Sequence, residues 1–508
     1  MSVPAGGSSR GLVATALAAA TFMQVLDSTI ANVSLPTIAG NLGVSPDQGT
    51  WVITSFAVAN AISVPLSGWL TQRYGIVRTF VLSVLLFTFA SFLCGVAWSL
   101  PSLIAFRVLQ GAVSGPMIPG SQALLIALFP PHKKGAALAL WSMTMLIAPI
   151  CGPLLGGYIS DNYSWPWIFL INVPVGIACA GICWFGLKAS ETATRKLPID
   201  VVGLALLVTW VGALQIMLDI GKDADWFASG EIVVLALVAL VGFIAFLIWE
   251  IGERHPIVDL SLFKNRNFAI GTLAFCLGYG AFLGVVVLQP LWMQTWLGYT
   301  ATWAGLVAAP SGVVALLVSP LIGRFIGRYD ARIFATIAFI AFATSYLMRA
   351  GYTADASFGA FVAPLLVQGI GMATFFVGMV ALLLDGVPPA QIPAASGLSN
   401  FARLTGGSFG TSLVTTFWDR HAALHQLRLA ETSSAYDPQL QAAQQALTAN
   451  GLSEPQAIGV MARTLSHQAY LLSALDMFWI CGWICVVLIG FIWLARRSQG
   501  QQGPVAAD

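Results

Sequence analysis

A carboxylate in the middle of a long apolar segment is the feature of this sequence with the clearest chemical potential. Asp27 lies near the centre of residues 12–35, which are dominated by apolar side chains and long enough to cross a bilayer. An ionised side chain at that depth costs about 2.5–3.5 kcal/mol on insertion scales, so it normally faces water or a partner. The polar residues that surround it on this segment are Gln24, Ser28, Thr29, Asn32 and Ser34. Asp27 is therefore a candidate proton-binding group on a polar pathway, and a fixed structural pair is the alternative.

A second buried charge could partner this acid. Arg107 lies inside the fourth apolar segment, and Gln110 follows one turn later. An intramembrane guanidinium needs a partner, and Asp27 is the candidate if the first and fourth segments adjoin. Burial favours the neutral carboxyl whereas a nearby guanidinium favours the carboxylate, so such a pair could act as a proton switch. Structural pairing alone remains the other interpretation.

The composition indicates the class of protein. Of 508 residues, 57% are hydrophobic and only 9% are charged, against about 25% charged residues in globular domains, so the chain is predicted to be a polytopic membrane protein. The seven cysteines all lie in apolar runs, which predicts neither disulfides nor a metal site. His421 and His425 have the spacing of a metal pair, but without a convergent third ligand a solvated helix face is expected. The sequence has no phosphate loop, catalytic triad or zinc-protease pattern, so we expect no enzyme activity, no cofactor and no ATP as energy source.

The distribution of basic residues predicts the topology. Fourteen apolar segments can be counted. Of the 23 lysines and arginines, 16 then fall on the side of the two termini, five on the other side with Arg349 among them, and two, Arg107 and Arg403, within the membrane. By the positive-inside rule both termini are expected to be cytoplasmic.

An internal repeat predicts how the segments are grouped. Pro65-Leu66-Ser67-Gly68 with Arg73-Tyr74 recurs as Pro320-Leu321-Ile322-Gly323 with Arg328-Tyr329, and Gln110-Gly111 recurs as Gln368-Gly369. Two halves in the same orientation indicate parallel repeats. The expected all-α organisation is a six-helix bundle at 1–190, two inserted transmembrane helices and an interfacial segment at 191–264, and a second six-helix bundle at 265–508 that carries a helical hairpin at 419–471. The inserted pair is expected outside the twelve-helix core.

Five ordered motifs carry a resemblance to a known family: LDSTIANVSLP at 26–36, GWLTQRYGIVR at 68–78, FRVLQG at 106–111, APICGPLLGG at 148–157 and WPWIFLINVPVG at 165–176. Together they resemble the fourteen-helix drug:proton antiporters of the major facilitator superfamily. The similarity extends over nearly the whole chain and points to the pumps that form the inner-membrane component of tripartite efflux systems. It implies the major facilitator fold, alternating access, proton coupling and drug export across the bacterial inner membrane.

Two of these motifs predict gating elements. In 68–78, glycine permits close contact and a tight turn, and arginine can bind helix ends or acids of the other half. The family usually has an Asp in this motif, but Gln72 occupies the nearest position here, so only gating is assigned. In 148–157, prolines and glycines predict a kinked, closely packed helix. The candidate gating residues are Gly68, Arg73, Gly75, Arg78, Pro149, Gly152, Pro153, Gly156, Gly157 and Arg328.

Substrate contacts are expected from polar and adaptable apolar side chains of both halves, because methionine and aromatic residues suit promiscuous sites. The candidates are Gln24, Asn32, Gln110, Trp141, Met145, Gln289, Gln368, Phe376, Asn400 and Arg403. The expected partners are protons, hydrophobic small molecules, the lipid bilayer, a periplasmic membrane-fusion adaptor docked on 419–471 and, through it, an outer-membrane channel. A dedicated metabolite exporter and a membrane sensor or scaffold that does not transport are the alternatives, and the hairpin could instead cap the pump's own outer gate.

Overall fold

The computed structural model describes residues 7–130, 133–195, 198–353, 356–432 and 438–497, and it contains α-helices and no strand in these ranges. The N-terminal half comprises α1 (Gly7–Leu42), α2 (Pro46–Gly49), α3 (Trp51–Ser63), α4 (Ser67–Tyr74), α5 (Ile76–Gly95), α6 (Leu100–Ser114), α7 (Met117–Leu128), α8 (Lys134–Asn162), α9 (Trp167–Leu170) and α10 (Asn172–Leu187). The inserted pair is α11 (Val201–Ile220) and α12 (Gly230–Gly252). The C-terminal half comprises α13 (Arg266–Thr295), α14 (Ala301–Phe325), α15 (Ala331–Arg349), α16 (Phe358–Leu383), α17 (Ile392–Thr432), α18 (Pro438–Ala449) and α19 (Glu454–Ile492).

The predicted number of membrane crossings is consistent with these helices. Within the described ranges, 11 helices are long and apolar enough to span a membrane, or 12 if the pair α3 and α4, bent by 56°, is one span. Pro65 lies at that bend and has no N–H to continue the helix. The two remaining predicted crossings coincide with α8 and α17, which have 29 and 41 residues. The predicted all-α membrane fold is thereby confirmed.

Side-chain caps set several helix ends. Asp200, Thr300, Asp330 and Ser357 each accept a hydrogen bond from a backbone N–H in the first turn of the helix that follows. Such caps satisfy N–H groups that have no partner inside the helix. The breaks between membrane-crossing segments are therefore encoded locally, at the polar residues between apolar runs.

The two halves meet near the ends of their helices. We call the face that carries the start of α1 and the end of α19 the terminal face, and the opposite one the hairpin face. At the terminal face Gly68 of α4 lies against Ala394 of α17, and Gly135 of α8 lies against Gly323 of α14. Deeper in the molecule the Trp141 ring of α8 lies 6.4 Å from that of Phe376 on α16. The halves are thus in close contact from the terminal face to the middle of the protein.

The inserted helices divide into a packed one and an exposed one. α12 exposes many of its apolar side chains, as expected for a helix outside the core. α11, in contrast, contacts both α3 and α17. Its Trp210 ring lies 5.8 Å from Phe401, and the Leu218 carbonyl accepts a hydrogen bond from Ser412 at 2.8 Å. α11 therefore packs against one helix of each half, and the placement of the pair outside the twelve-helix core stays a prediction.

The region 419–471 is helical in its described parts. α17 continues without a break beyond the apolar segment, and α19 begins well before its own. α18 packs on α19, and Gly451, at φ 93°, makes the turn between them. Residues 433–437 lie outside the described ranges. Two long helices therefore project from the hairpin face.

Candidate functional site

Asp27 is the centre of a polar cluster inside the N-terminal half. Its Oδ2 lies 2.6 Å from Nη1 of Arg107, and both side chains are fully buried. Its Oδ1 accepts hydrogen bonds from the amides of Gln110 at 3.0 Å and Asn172 at 2.9 Å. α1, α6 and α10 thus each contribute to one carboxylate. The two oxygens thus accept from three donors, and removal of the negative charge would weaken all of these contacts.

Arg107 is held by several other groups. Its Nε donates to the Val52 carbonyl at 3.0 Å and its Nη1 to the Gln110 amide oxygen at 2.7 Å, while Nη2 has no partner among the described residues. The guanidinium carbon lies 4.2 Å from the ring centroid of Phe56 and 5.4 Å from that of Phe169. Because aromatic faces attract cations in a dry environment, this surface stabilises the charge that Asp27 pairs with.

Two members of the cluster were missed by the sequence analysis. Asn172 also donates to the Ser91 hydroxyl at 3.0 Å, and Ser91 donates to the Phe169 carbonyl at 2.9 Å. Asn172 is the only amide in the apolar run between Ile168 and Leu187, and it stands within the motif at 165–176. That isolated polar residue was the available signal. Ser91 had none, since small hydroxyl residues are common in apolar helices.

The predicted substrate residues form more than one group. Gln24 is buried one turn from Asp27 with its Oε1 unpartnered, whereas Asn32 is exposed further along α1. Trp141 and Met145 are buried on α8, where Trp141 contacts Phe376. Gln110 belongs to the Asp27 cluster.

The predicted substrate residues of the C-terminal half do not form one cluster. The Asn400 amide donates to Gln122 of the other half at 3.3 Å, and its oxygen accepts from Nε of Arg403 at 3.3 Å. Gln368 instead accepts a hydrogen bond from Arg349, which also donates to Ser345 at 3.2 Å. Gln289 is buried on α13.

Arg349, which the topology assigns to the side of the membrane opposite the termini, is the last residue of α15, and its side chain is buried. Its side chain is 1% exposed, because the guanidinium turns back into the bundle towards α16. Gln368 is the repeat counterpart of Gln110, so each half has an arginine–glutamine contact. The arginines come from non-equivalent helices, and among the described residues only the N-terminal pair includes a carboxylate.

The motif at 68–78 contacts the other half through Gly68. A Cβ at Gly68 would lie 2.8 Å from that of Ala394, so the two helices are at van der Waals limit there. The Arg73 guanidinium lies over the rings of Trp69 and Tyr74 in its own half, and Arg78 is exposed, as is Arg328 in the second half. Among the described residues, Arg78 forms no ion pair with an acid of the opposite half.

Glu191 supplies the acid of this region. Its carboxylate accepts hydrogen bonds from the backbone N–H groups of Val77 at 3.0 Å and Arg78 at 2.9 Å, at the start of α5. Gly75, with φ 91°, makes the turn that precedes this helix. A carboxylate at a helix N-terminus is favoured by the helix dipole. The connection between α4 and α5 is thereby fixed to the segment that follows α10.

The motif at 148–157 packs α8 on the helix that carries Asp27. A Cβ at Gly152 would lie 2.8 Å from Thr29 Cβ, and one at Gly156 would lie 2.8 Å from the Ile30 carbonyl oxygen. Pro149 is exposed and Gly157 is partly buried, while the side chain of Pro153 lies outside the described part of the chain. These contacts couple the position of α8 to that of α1.

The histidine pair at the hairpin face has a protein partner. Nε2 of His425 lies 2.6 Å and Nδ1 of His421 3.4 Å from the Asp476 carboxylate on α19. The expected solvated face is therefore a contact between α17 and α19. In the described ranges no group of three His, Cys, Asp or Glu side chains could hold a metal ion.

Comparison with known proteins identifies the family. A sequence profile described as Major Facilitator Superfamily matches residues 17–411. The chain is 50% identical over 502 residues to the multidrug export protein EmrB of Escherichia coli K12, and 48% identical over 493 residues to the fatty acid resistance protein FarB of Neisseria gonorrhoeae; each alignment covers at least 97% of both chains.

Solved structures agree on the fold. The proton:xylose symporter XylE has a TM-score of 0.62 at 12% identity, with 98% of each chain covered, and the human organic anion transporter MFSD10 has a TM-score of 0.61 at 13% identity, with 95% of this chain and 99% of that one covered. The family profile and the multidrug export name of EmrB indicate a transporter, and they support drug efflux through a helical membrane protein. From the sequence profile and these full-length matches together, this chain belongs to the Major Facilitator Superfamily.

Proposed function

We propose that this chain exports hydrophobic organic compounds from the bacterial cytoplasm in exchange for protons, with Asp27 as the proton carrier. The observation that carries the proposal is the fully buried Asp27 carboxylate, which accepts hydrogen bonds from the side chains of Arg107, Gln110 and Asn172. The multidrug export name of the half-identical EmrB relative supports the cargo class.

The geometry supports a specific coupling step. When Asp27 takes up a proton its negative charge is lost, and the Arg107 guanidinium no longer has a counterion. The contacts that tie α1 to α6 and α10 then weaken, and α8, packed against α1 at Thr29 and Ile30, moves with it. Proton release restores the ion pair. Alternating access follows because the two protonation states favour different arrangements of the helices.

The predicted topology places the terminal face in the cytoplasm of a bacterial cell and the hairpin face in the periplasm. In that orientation the contacts of Gly68 with Ala394 and of Gly135 with Gly323 close the cytoplasmic side. The positive-inside asymmetry and the bacterial origin of the relatives support this orientation.

The experiment is uphill transport in proteoliposomes. Asp27→Asn is nearly isosteric, so the protein should fold and bind ligand, and it should lose drug movement driven by an imposed pH gradient. Asp419→Asn is the matched control, because Asp419 is also ion-paired, with Lys222 at 2.8 Å, but lies partly exposed on the hairpin face. Wild-type uphill transport by Asp27→Asn would refute the assignment. Ligand binding without flux in the wild type would favour a sensor or scaffold.

We also propose that the hairpin 419–471 docks a periplasmic adaptor that leads to an outer-membrane channel. Both long helices expose apolar side chains beyond the membrane-spanning part: Leu424 and Leu427 on α17, and Ile458 and Val460 on α19. Exposed apolar residues on two adjacent helices suit a helical partner. Replacement of 432–465 by a short Gly/Ser linker should leave vesicle transport intact and abolish whole-cell resistance. Persistent resistance with adaptor co-purification would refute docking at this hairpin.

A further inference from the structure

Arg403 is a buried cation whose terminal nitrogens are unused. Its side chain is 1% exposed, on α17. Nε donates to Asn400, but Nη1 and Nη2 are buried and form no hydrogen bond with the described residues. No carboxylate among those residues forms an ion pair with it. A buried charge in this condition is strongly unfavourable, and an anion at the two free nitrogens would remove the penalty.

The surroundings of Arg403 are aromatic and lie between the two halves. Its guanidinium carbon is 4.5 Å from the ring centroid of Tyr279, which is partly exposed. From there the ring contacts continue to Phe376, 6.1 Å from Tyr279, and across to Trp141 of the other half. The Trp141 Nε1 is a second buried donor without a partner. Unsatisfied donors beside a continuous aromatic surface are what an amphipathic anion requires.

Each of the two other fully buried arginines has a protein partner at a terminal nitrogen of its guanidinium. Arg107 has the Asp27 carboxylate, and Arg349 donates to Gln368 and Ser345. Arg403 differs because no hydrogen bond of normal geometry reaches Nη1 or Nη2, and its polar neighbours, Asn400 and the Tyr279 side chain, are neutral. Its Nε contact is with Asn400, the residue that reaches Gln122 across the boundary between the halves. The orientation of this guanidinium is thereby linked to the contact between the halves.

We propose that Arg403 binds the anionic group of transported hydrophobic acids, with a substrate carboxylate on Nη1 and Nη2 and its apolar body against Tyr279, Phe376 and Trp141. The planar guanidinium matches the two oxygens of a carboxylate. This inference deepens the proposed export function, since it rests on the pump having an organic substrate and names the chemical class that this part of the site selects.

The test compares two ligands of nearly the same shape, 2-naphthoate, which is ionised at neutral pH, and 2-naphthamide, which is not. Equilibrium binding to the purified full-length protein in a neutral detergent needs no proton gradient. The wild type should bind naphthoate more tightly. Arg403→Gln should weaken naphthoate binding roughly thirtyfold or more, with little effect on naphthamide, because only the acid loses a buried charge partner. Arg403→Lys should recover part of the loss.

Arg349→Gln is the matched control, since it removes an equally buried arginine of the same half that has protein partners. It should not change the ratio of the two affinities. Equal weakening of both ligands by Arg403→Gln, or no weakening of either, would overturn the proposal. If that variant does not fold, equal wild-type affinity for acid and amide overturns it instead. The two proposals can fail separately. If naphthoate binding depends on Arg403 but Asp27→Asn transports at the wild-type rate, Asp27 is not the proton carrier, whereas the assignment of Arg403 to the anionic group is supported.

Discussion

The close contact between Gly135 and Gly323 predicts that one methyl group can shift the conformational equilibrium. A Cβ at Gly135 would lie 2.6 Å from Ile326 Cγ2 and 3.0 Å from the Gly323 carbonyl carbon. Most of this obstacle is backbone, so α8 and α14 must separate to admit it. Overpacking of this kind costs about 1–3 kcal/mol. The cost is present only while the halves touch at the terminal face, so Gly135→Ala should favour the state in which that face is open by about 5- to 150-fold.

The assay is the distance between two spin labels at the terminal face in a cysteine-free background. Ala189 and Lys264 suit the labels, because both are exposed and they precede and follow the inserted pair. Gly135→Ala should increase the population of long distances. Gly327→Ala is the matched control, since a Cβ there would meet nothing within 4 Å. An unchanged distance distribution for Gly135→Ala, or an equal shift for Gly327→Ala, would show that this contact does not hold the face closed.

Four further variants probe the two ion pairs and the amide that donates to Asp27. Arg107→Ala should lower stability by about 3–5 kcal/mol, measured by thermal unfolding in detergent, because it leaves the buried Asp27 carboxylate without its cation. Arg107→Lys should recover part of the loss, since it restores the charge without the forked geometry; unchanged stability of Arg107→Ala would show that the two residues are uncoupled. Asn172→Ala should lower stability by about 1.5–3 kcal/mol, measured by thermal unfolding in detergent, through loss of a hydrogen bond to a charged group; no change would contradict that contact. Lys222→Ala removes a partly exposed ion pair with Asp419 and should change stability by about 1 kcal/mol or less. A larger loss of stability would show that Lys222 makes a further stabilising interaction besides this pair.

Sequence reasoning reached the features that hydropathy and charge determine. The long apolar segments, the buried Asp27 and its contact with Arg107 follow from the cost of burying charge, which leaves few partners to choose from. Neutral polar residues carry no such penalty, so Ser91 and Asn172 did not stand out. The burial of Arg349 was not predicted, because a residue at the end of an apolar run can turn either outward or inward. That choice depends on Gln368, which is close only after the bundle has formed.

The sequence also could not predict which helices pack against each other. The apolar run of α11 has the composition of any membrane span, and nothing in it predicts which neighbours it chooses. Its position depends on pairwise fits such as Trp210 with Phe401 and Trp226 with Thr416, which join residues about 190 positions apart. Gly68 was predicted to permit close contact between helices, but its partner in the other half, Ala394, was not predicted.

The attachment of α11 has a consequence for how such a protein releases its cargo. Ser412, Thr416 and Asp419 of α17 bind the end of α11 and the loop after it, while Asp219 interacts with Thr54 of α3. α11 therefore bridges the two halves: its hydrogen bonds and the ion pair of the following loop are mostly with α17, and its packing is shared between α17 and α3. On this flank α11 covers the boundary between α3 and α17. A hydrophobic molecule held between the halves would therefore meet α11 before it could leave sideways between these two helices.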